Sequence, residues 1–132
     1  GQIERIIPSI IALRHELHQH PEIRFQETWT SGRVAQFLDS IGVSYQRGYA
    51  GGTGITAIIG GKPGPTIALR ADMDALEIQE ETGLPYASLI PNRMHACGHD
   101  GHTAILCGVA QVLQARRDEL NGSVKLIFHP HN

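Results

Sequence analysis

The order of the hydrophobic patterns along the chain constrains its fold most strongly. Two segments with apolar residues at three- and four-residue steps come first, and this spacing predicts amphipathic helices. Short β-rich runs bounded by glycine and proline follow, and they predict strands. The predicted elements are helices at 3–19, 28–40 and 103–115, and strands at 43–46, 55–59, 66–70 and 123–128.

Helices, strands, a helix and a strand in this order predict an α/β fold, a layered helix–sheet domain. The runs at 55–59 and 66–70 are joined by a glycine- and proline-rich turn at 60–65. A turn of this composition favours an antiparallel hairpin or two neighbouring strands. The sequence therefore predicts that these two strands lie side by side.

Composition excludes several classes of function. The chain has 132 residues, which suggests one domain or a piece of a larger one, and its hydrophobic share of 41% is enough for a core. The 11 basic and 13 acidic residues give a net charge of -2, and they form neither a basic stripe for nucleic acid nor a polybasic membrane patch. No apolar run reaches the roughly 18 residues that span a bilayer. We therefore expect no nucleic-acid partner and no membrane partner.

The two cysteines, Cys97 and Cys107, are too few for a disulfide framework. Their number favours a reducing, cytoplasmic compartment. Cys107 falls within an apolar helix, and a cysteine in that setting is usually a small core residue.

Residues 94–102 read Met-His-Ala-Cys-Gly-His-Asp-Gly-His and carry three imidazoles, one thiol and one carboxylate. These side chains bind zinc-like cations, and the glycines let the backbone bend so that they can converge. The stretch lies just before the third helix and downstream of a strand that ends in acidic residues. Functional groups of open α/β sheets gather outside the carboxyl ends of strands. The stretch therefore predicts a metal site.

Within this stretch, Cys97 and His99 are the best ligand pair, since alternate residues of an extended loop share a face. Asp100 either binds the metal or orients a histidine that does so. His102 is either a ligand or a polar residue of the helix cap. His95 is expected to be a neighbour of the site or a substrate contact rather than a ligand.

Two acidic residues, Asp72 and Asp74, stand at the end of the strand before this stretch. Alternation would put both on one face, where they could steer a metal ligand or a proton. The alternative is that they cap a turn, with Arg70 neutralising their charge.

Three further histidines, His15, His18 and His20, lie on or just after the first helix. The pair His18 and His20 has a spacing that could bind metal. A position near a helix end, where a histidine is compatible with the helix dipole, is the alternative explanation of the pair. We expect the second explanation to hold.

Three motifs, at residues 14–22, 68–76 and 94–102, together resemble those of the metal-dependent aminoacylase and carboxypeptidase-like amidohydrolases. The branch they resemble is that of hippurate hydrolases and plant auxin-amino-acid-conjugate hydrolases. The resemblance covers almost all of this chain and about the first third of a typical family member.

The resemblance implies that residues 1–132 are the N-terminal part of a zinc-exopeptidase-like catalytic domain. An inserted dimerisation domain and the C-terminal part of the catalytic domain would be absent from this chain. Family members hydrolyse the amide bond of small N-acyl amino acids or related conjugates, and they use two closely spaced divalent cations, zinc or manganese. The expected partners are therefore a small-molecule N-acyl substrate and a second copy in a homo-oligomer.

The resemblance also assigns roles to individual residues. Cys97 and His99 match metal ligands, and Asp72 matches an acidic residue that supports the metal site. A metal held there would polarise the amide carbonyl and lower the pKa of a bound water, so that the water attacks at neutral pH.

The chain departs from the family pattern at its end. The family strand reads Ile-Phe-Gln-Pro-Ala-Glu-Glu, whereas residues 127–132 read Ile-Phe-His-Pro-His-Asn. Asn132 stands where the family has its general-base glutamate, and an amide cannot accept the proton of water. His129 and His131 alternate onto one face of the strand, which makes them candidate substitute ligands.

Two functional hypotheses follow. In the first, the sequence is part of an N-acyl amino acid amidohydrolase, and the 132-residue chain alone is inactive. In the alternative, it is a catalytically silent short domain that binds metal or a partner, or a truncated relic of the hydrolase.

Overall fold

The computed structural model describes residues 2–23, 26–49 and 52–130. Three α-helices and four strands form, together with one short 3₁₀ turn. In chain order these elements are α1 (Gln2–Gln19), α2 (Thr28–Ser40), β1 (Tyr45–Tyr49), β2 (Gly54–Gly60), β3 (Thr66–Asp72), α3 (His99–Ala115), the 3₁₀ turn Arg117–Glu119 and β4 (Ser123–His129). None of the helices in these ranges has the length and apolar character needed to cross a membrane.

The predicted α/β class is confirmed, and each predicted helix and strand has a counterpart in the structure. The largest difference in a boundary concerns α3, which begins at His99 rather than at Thr103. Residues 99–102 are polar or glycine, so the apolar spacing that predicted the helix does not extend into its first turn. As a result, most of the polar residues of the 94–102 stretch belong to a helix rather than to a loop.

The four strands form one mixed sheet with the order β1-β2-β4-β3. The prediction that β2 and β3 are neighbours is therefore wrong, because β4 lies between them, antiparallel to β2 and parallel to β3. The turn at 60–65 passes across the start of β4, where Gly61 donates to the Gly122 carbonyl and Ser123 donates to the Pro65 carbonyl. The helix α3 supplies the crossover connection that two parallel strands require.

The core lies between the sheet and the three helices. Alternate residues of β2 and β4 face it, among them Ile55, Ile59 and Phe128, which are fully or almost fully buried. Leu17 of α1 and Leu38 of α2 meet them from the helical side. The sheet and the helices therefore form one packed unit. This packing fixes where the polar residues of α3 lie.

The strands β3 and β4 bring the candidate site together. They run parallel, and their last residues, Asp72 and His129, are paired in register at one edge of the sheet. The helix α3 starts at this same edge, because it must run back to reach the beginning of β4. The acidic end of β3 and the first turn of α3 are thus neighbours, as expected for functional residues of an open α/β sheet.

Candidate functional site

His99, the first residue of α3, is held by Asp74 just beyond the end of β3. Its Nδ1 lies 2.9 Å from the Asp74 Oδ1 atom and 3.0 Å from the Asp74 carbonyl oxygen. Because both oxygens accept hydrogen bonds, Nδ1 carries a hydrogen, which leaves Nε2 as the ring atom that can bind a metal. A carboxylate behind a histidine in this way is the usual support of a metal-binding imidazole.

Gly98 separates His99 from the second candidate ligand, Cys97. Its φ of 81° lies in the left-handed region, and a Cβ added there would meet no atom within 4 Å. The requirement for glycine is therefore the backbone conformation rather than space. The chain bends at this point, so the premise of an extended loop is not met; Cys97 lies before the bend with its side chain exposed.

Asp100 follows His99 but turns toward α1. Its Oδ2 atom accepts hydrogen bonds from His18 Nδ1, at 2.8 Å, and from Arg14 Nε, at 3.2 Å. Burial alone would raise the pKa of this carboxyl, but the hydrogen bond from His18 and nearby positive charge lower it below its ordinary value. Asp100 is thus a buried anion that ties the first turn of α3 to α1.

His18 continues this chain of contacts into the loop at 77–91. Its Nε2 atom lies 2.8 Å from Glu80 Oε1. Glu80 also accepts the Ser88 backbone N–H, at 2.9 Å, and the Thr82 hydroxyl. Burial opposes ionisation of Glu80, but these donors and the His18 ring lower its pKa overall. His18 is therefore more than a histidine at a helix end: it bridges two carboxylates.

His95 is a buried neighbour of this cluster. It is 4% exposed, and neither ring nitrogen has a hydrogen-bond partner within residues 2–23, 26–49 and 52–130. Burial lowers its pKa to about 4, with the charge of Asp100 acting in the opposite direction. The ring is therefore neutral at pH 7.

Asp72 and His102 differ in their contacts. The Asp72 carboxylate pairs with Arg70 at 3.1 Å, and its carbonyl accepts the Thr103 hydroxyl at 3.0 Å. His102 is exposed, with its ring centre 6.0 Å from that of His99. Gly98 occupies the N-cap position of α3, so His102 is a residue of the first turn rather than its cap.

The candidate substitute ligands are only partly within the described residues. His129 ends β4 next to Asp72, and its carbonyl accepts the Met73 N–H at 2.8 Å. His131 and Asn132 lie outside the described residues. Substitution of these histidines for missing ligands stays a prediction.

A buried carboxyl lies behind Asp74, at the residue that precedes α2. Glu27 is fully buried, and within the residues that the structure describes no other side chain donates a hydrogen bond to its carboxyl oxygens. Burial raises its pKa to about 8, and the charges of Asp74 and Glu22 add to this effect. The group is therefore largely protonated at pH 7.

The donor set fits part of a divalent-metal site. His99 offers an oriented Nε2 atom and Cys97 an exposed thiol, both of which suit zinc-like cations. Across residues 2–23, 26–49 and 52–130, no cluster of three or more His, Cys, Asp or Glu side chains is placed to hold a metal ion. A catalytic zinc usually has three protein ligands. The two residues therefore fit as a share of a site that needs ligands from elsewhere.

Two of these contacts were not predictable from the motifs. Asp74, rather than Asp72, reaches His99, and strand alternation alone gave both residues the same face. Glu80 has no recognisable sequence pattern around it, and the residue with which it forms a hydrogen bond, His18, is 62 residues away in sequence.

Comparison with known proteins bears on the family of this chain. Residues 68–131 match the model of peptidase family M20/M25/M40. N-acetylcysteine deacetylase of Bacillus subtilis is 47% identical over 122 residues, which are 92% of this chain and 32% of that protein. IAA-amino acid hydrolase ILR1-like 5 of Arabidopsis thaliana is 45% identical over 121 residues, which are 92% of this chain and 28% of that protein.

The fold matches a solved member of the family. The Bacillus subtilis YxeP protein, described as a dinuclear metal-binding peptidase of family M20, superposes with a TM-score of 0.91. It is 44% identical, and the match covers 96% of this chain and 36% of YxeP. The chain thus spans about a third of the length of the relatives it matches. The resemblance drawn from the three motifs is confirmed: the sequence and fold of this chain match peptidase family M20/M25/M40 over about a third of the length of these relatives.

Proposed function

We propose that this sequence is part of a metal-dependent amidohydrolase that cleaves the amide bond of N-acyl amino acids or related conjugates. The observation that carries the proposal is the His99 ring, which is fixed by Asp74 with Nε2 available, two residues after an exposed thiol. The names of the deacetylase and of the IAA-amino acid hydrolase support this substrate class.

A divalent cation, zinc or manganese, is the proposed cofactor, with two cations in the complete site. Such a metal polarises the scissile carbonyl and lowers the pKa of a water molecule. The Cys97 thiolate and His99 Nε2 would hold it from this chain. Asp74 keeps the His99 ring in the required orientation, and its negative charge strengthens the imidazole as a ligand.

Asp72 is proposed to support the metal site through charge rather than through contact with His99. It ends β3 at the edge where α3 begins, and its carboxylate is partly neutralised by Arg70. Asp100 is proposed to support the site indirectly, by holding the first turn of α3, because its Oδ2 atom bonds to His18 and Arg14.

The wider assignments belong to the same proposal. Residues 1–132 form part of a catalytic domain, which a smaller dimerisation domain and further catalytic segments complete. The complete protein takes a small N-acyl amino acid as substrate, forms a homo-oligomer and acts in the cytoplasm.

The test uses the full-length gene product that carries this sequence. It is stripped of metal, reloaded with zinc or manganese, and assayed on hippurate, N-acetylcysteine and an indole-3-acetyl amino acid. We expect metal-dependent release of the amino acid from at least one of them, lost in both Cys97→Ala and His99→Ala. His20→Ala is the matched control, since it removes an imidazole whose ring stacks on Trp29. Absence of metal-dependent turnover on all three substrates would contradict the proposal.

A further inference from the structure

We propose that His18 is a positioning residue of the metal site, which couples the loop at 77–91 to the first turn of α3. The inference rests on the proposed role of His99 as a metal ligand. It assigns a function to a histidine that the metal site itself does not use, and it makes the loop a structural part of that site.

The first step is the geometry of the His18 ring. Its two nitrogens lie 2.8 Å from Asp100 Oδ2 and 2.8 Å from Glu80 Oε1. The three side chains are 4%, 0% and 2% exposed, so water does not compete for these contacts. Ionised carboxylates only accept hydrogen bonds, so a ring that bonds both must donate from both nitrogens. His18 thus joins two buried carboxyl groups, one at each ring nitrogen, and both contacts are short and directional.

The second step leads from His18 to the metal ligand. Asp100 is the residue after His99 in the first turn of α3, and Arg14 reinforces its attachment to α1. His99 is held on its other side by Asp74. The backbone that carries His99 is therefore fixed by Asp100, and its ring is fixed by Asp74. Removal of the Asp100 anchor would weaken the hold on this backbone while the ring contact with Asp74 stays in place.

The third step leads from His18 to the loop. Glu80 holds parts of the loop together, because its carboxylate accepts hydrogen bonds from the Ser88 N–H and the Thr82 hydroxyl. The Tyr86 ring stacks on His15 at 3.7 Å and meets the His18 ring edge-on at 5.6 Å. The loop is therefore packed against the same face of α1 that holds Asp100. His18 hydrogen-bonds to both, and Arg14 also reaches both through Asp100 and the Tyr86 ring.

The test replaces His18 by glutamine in the full-length gene product. An amide nitrogen can donate to one carboxylate, but the amide oxygen repels the other, so the bridge is broken. The metal is replaced by cobalt(II), and affinity is read from the absorption of the cobalt–thiolate bond. We expect His18→Gln to weaken cobalt binding by about 10- to 100-fold, as loss of support behind a ligand generally does. His20→Gln, just after the same helix and with its ring stacked on Trp29 rather than on the loop at 77–91, should bind like the parent.

Hydrogen exchange distinguishes coupling from general loss of stability. In His18→Gln, amides at 80–89 and at 98–104 should both exchange faster, while those of β2 and β4 keep the parental rate. Acceleration confined to one of the two segments, or parental cobalt affinity in the variant, would overturn the proposal.

A second variant tests the same coupling in case His18→Gln does not fold. Glu80→Gln leaves His18, Asp100 and His99 in place and removes a charge that contacts none of the metal ligands. The proposal predicts weaker cobalt binding here as well, and an unchanged affinity contradicts it. If instead the parent binds no cobalt and matches Cys97→Ala, the proposed function fails. The exchange of 80–89 and 98–104 then still decides whether His18 couples the two segments.

Discussion

The Nδ1 atom of His99 lies 2.9 Å from the carboxylate of Asp74 and 3.0 Å from the carbonyl oxygen of the same residue. One residue thus provides two acceptors for one ring nitrogen, which fixes both the tautomer and the direction of the ring. The contact joins the exit of β3 to the start of α3, so both of its partners belong to the fold. The orientation of His99 is therefore a property of the fold.

Asp74→Asn should weaken divalent-metal binding by the full-length gene product by about 10- to 100-fold. The substitution removes the negative charge and offers an amide that can present its nitrogen to Nδ1. The measurement is a zinc titration against a competing chelator. Asp39→Asn is the control, since Asp39 contacts the Tyr45 hydroxyl on another part of the surface. Equal metal affinity of the parent and of Asp74→Asn would contradict the proposal that Asp74 supports His99 as a metal ligand.

The two cysteines should differ sharply toward a thiol-specific reagent. Cys97 is exposed, whereas Cys107 is fully buried and burial raises its pKa to about 12. Since the thiolate is the reactive form, one thiol per native chain should react quickly and the second only after unfolding. Zinc should slow the reaction of Cys97 in the full-length gene product. Rapid reaction of both thiols without denaturant would show that the core around Cys107 is not closed.

Glu27 should make the fold less stable as pH rises. The pKa of this buried carboxyl is about 8 in the folded chain, against an ordinary value of 4.5. Between these values the folded state holds a proton that the unfolded state has lost, so the free energy of unfolding falls by up to about 1.4 kcal/mol per pH unit. Urea unfolding of the 132-residue chain between pH 5 and 8 measures the slope.

The matched variants are Glu27→Gln and Glu119→Gln. The first should flatten the pH dependence, because the amide stays neutral throughout. The second removes an exposed carboxylate of the 3₁₀ turn and should leave the slope as it is. If both variants kept the parental slope, Glu27 would not be the buried acid that the structure indicates.

The 132-residue chain alone should be inactive on hippurate in the presence of zinc or manganese. Its described part offers Cys97 and His99 but no cluster of three donors, and Asn132 stands where the family pattern has its general base. Two ligands leave a cation weakly bound and mostly hydrated. Liquid chromatography of released glycine measures turnover, with the full-length gene product as positive control. Robust, metal-dependent turnover by the short chain would show that His129 and His131 complete the site after all.

Local patterns predicted the elements well because each carries its own hydrophobic period. The order of strands was harder, since the glycine-proline turn at 60–65 looks the same whether it closes a hairpin or passes over a third strand. Only the pairing of β4 with both neighbours distinguishes these cases, and that depends on the crossover through α3. The start of α3 was missed because Asp100 and His102 interrupt the apolar spacing.

The metal-binding stretch was recognisable because its residues are adjacent in sequence. The groups that support it are not adjacent: Asp74 lies 25 residues before His99, and Glu80 lies 62 residues after His18. No periodicity connects such pairs. Strand alternation placed Asp72 and Asp74 on one face, but the path of the chain beyond β3 decides which of them reaches His99.

The most direct test of the account is the absorption spectrum of the full-length gene product loaded with cobalt(II). We predict a cobalt–thiolate charge-transfer band that disappears in Cys97→Ala and that requires much more cobalt in His99→Ala. A stoichiometrically bound cobalt without this band, or a band that persists in Cys97→Ala, would contradict the assignment of Cys97 and His99 as metal ligands.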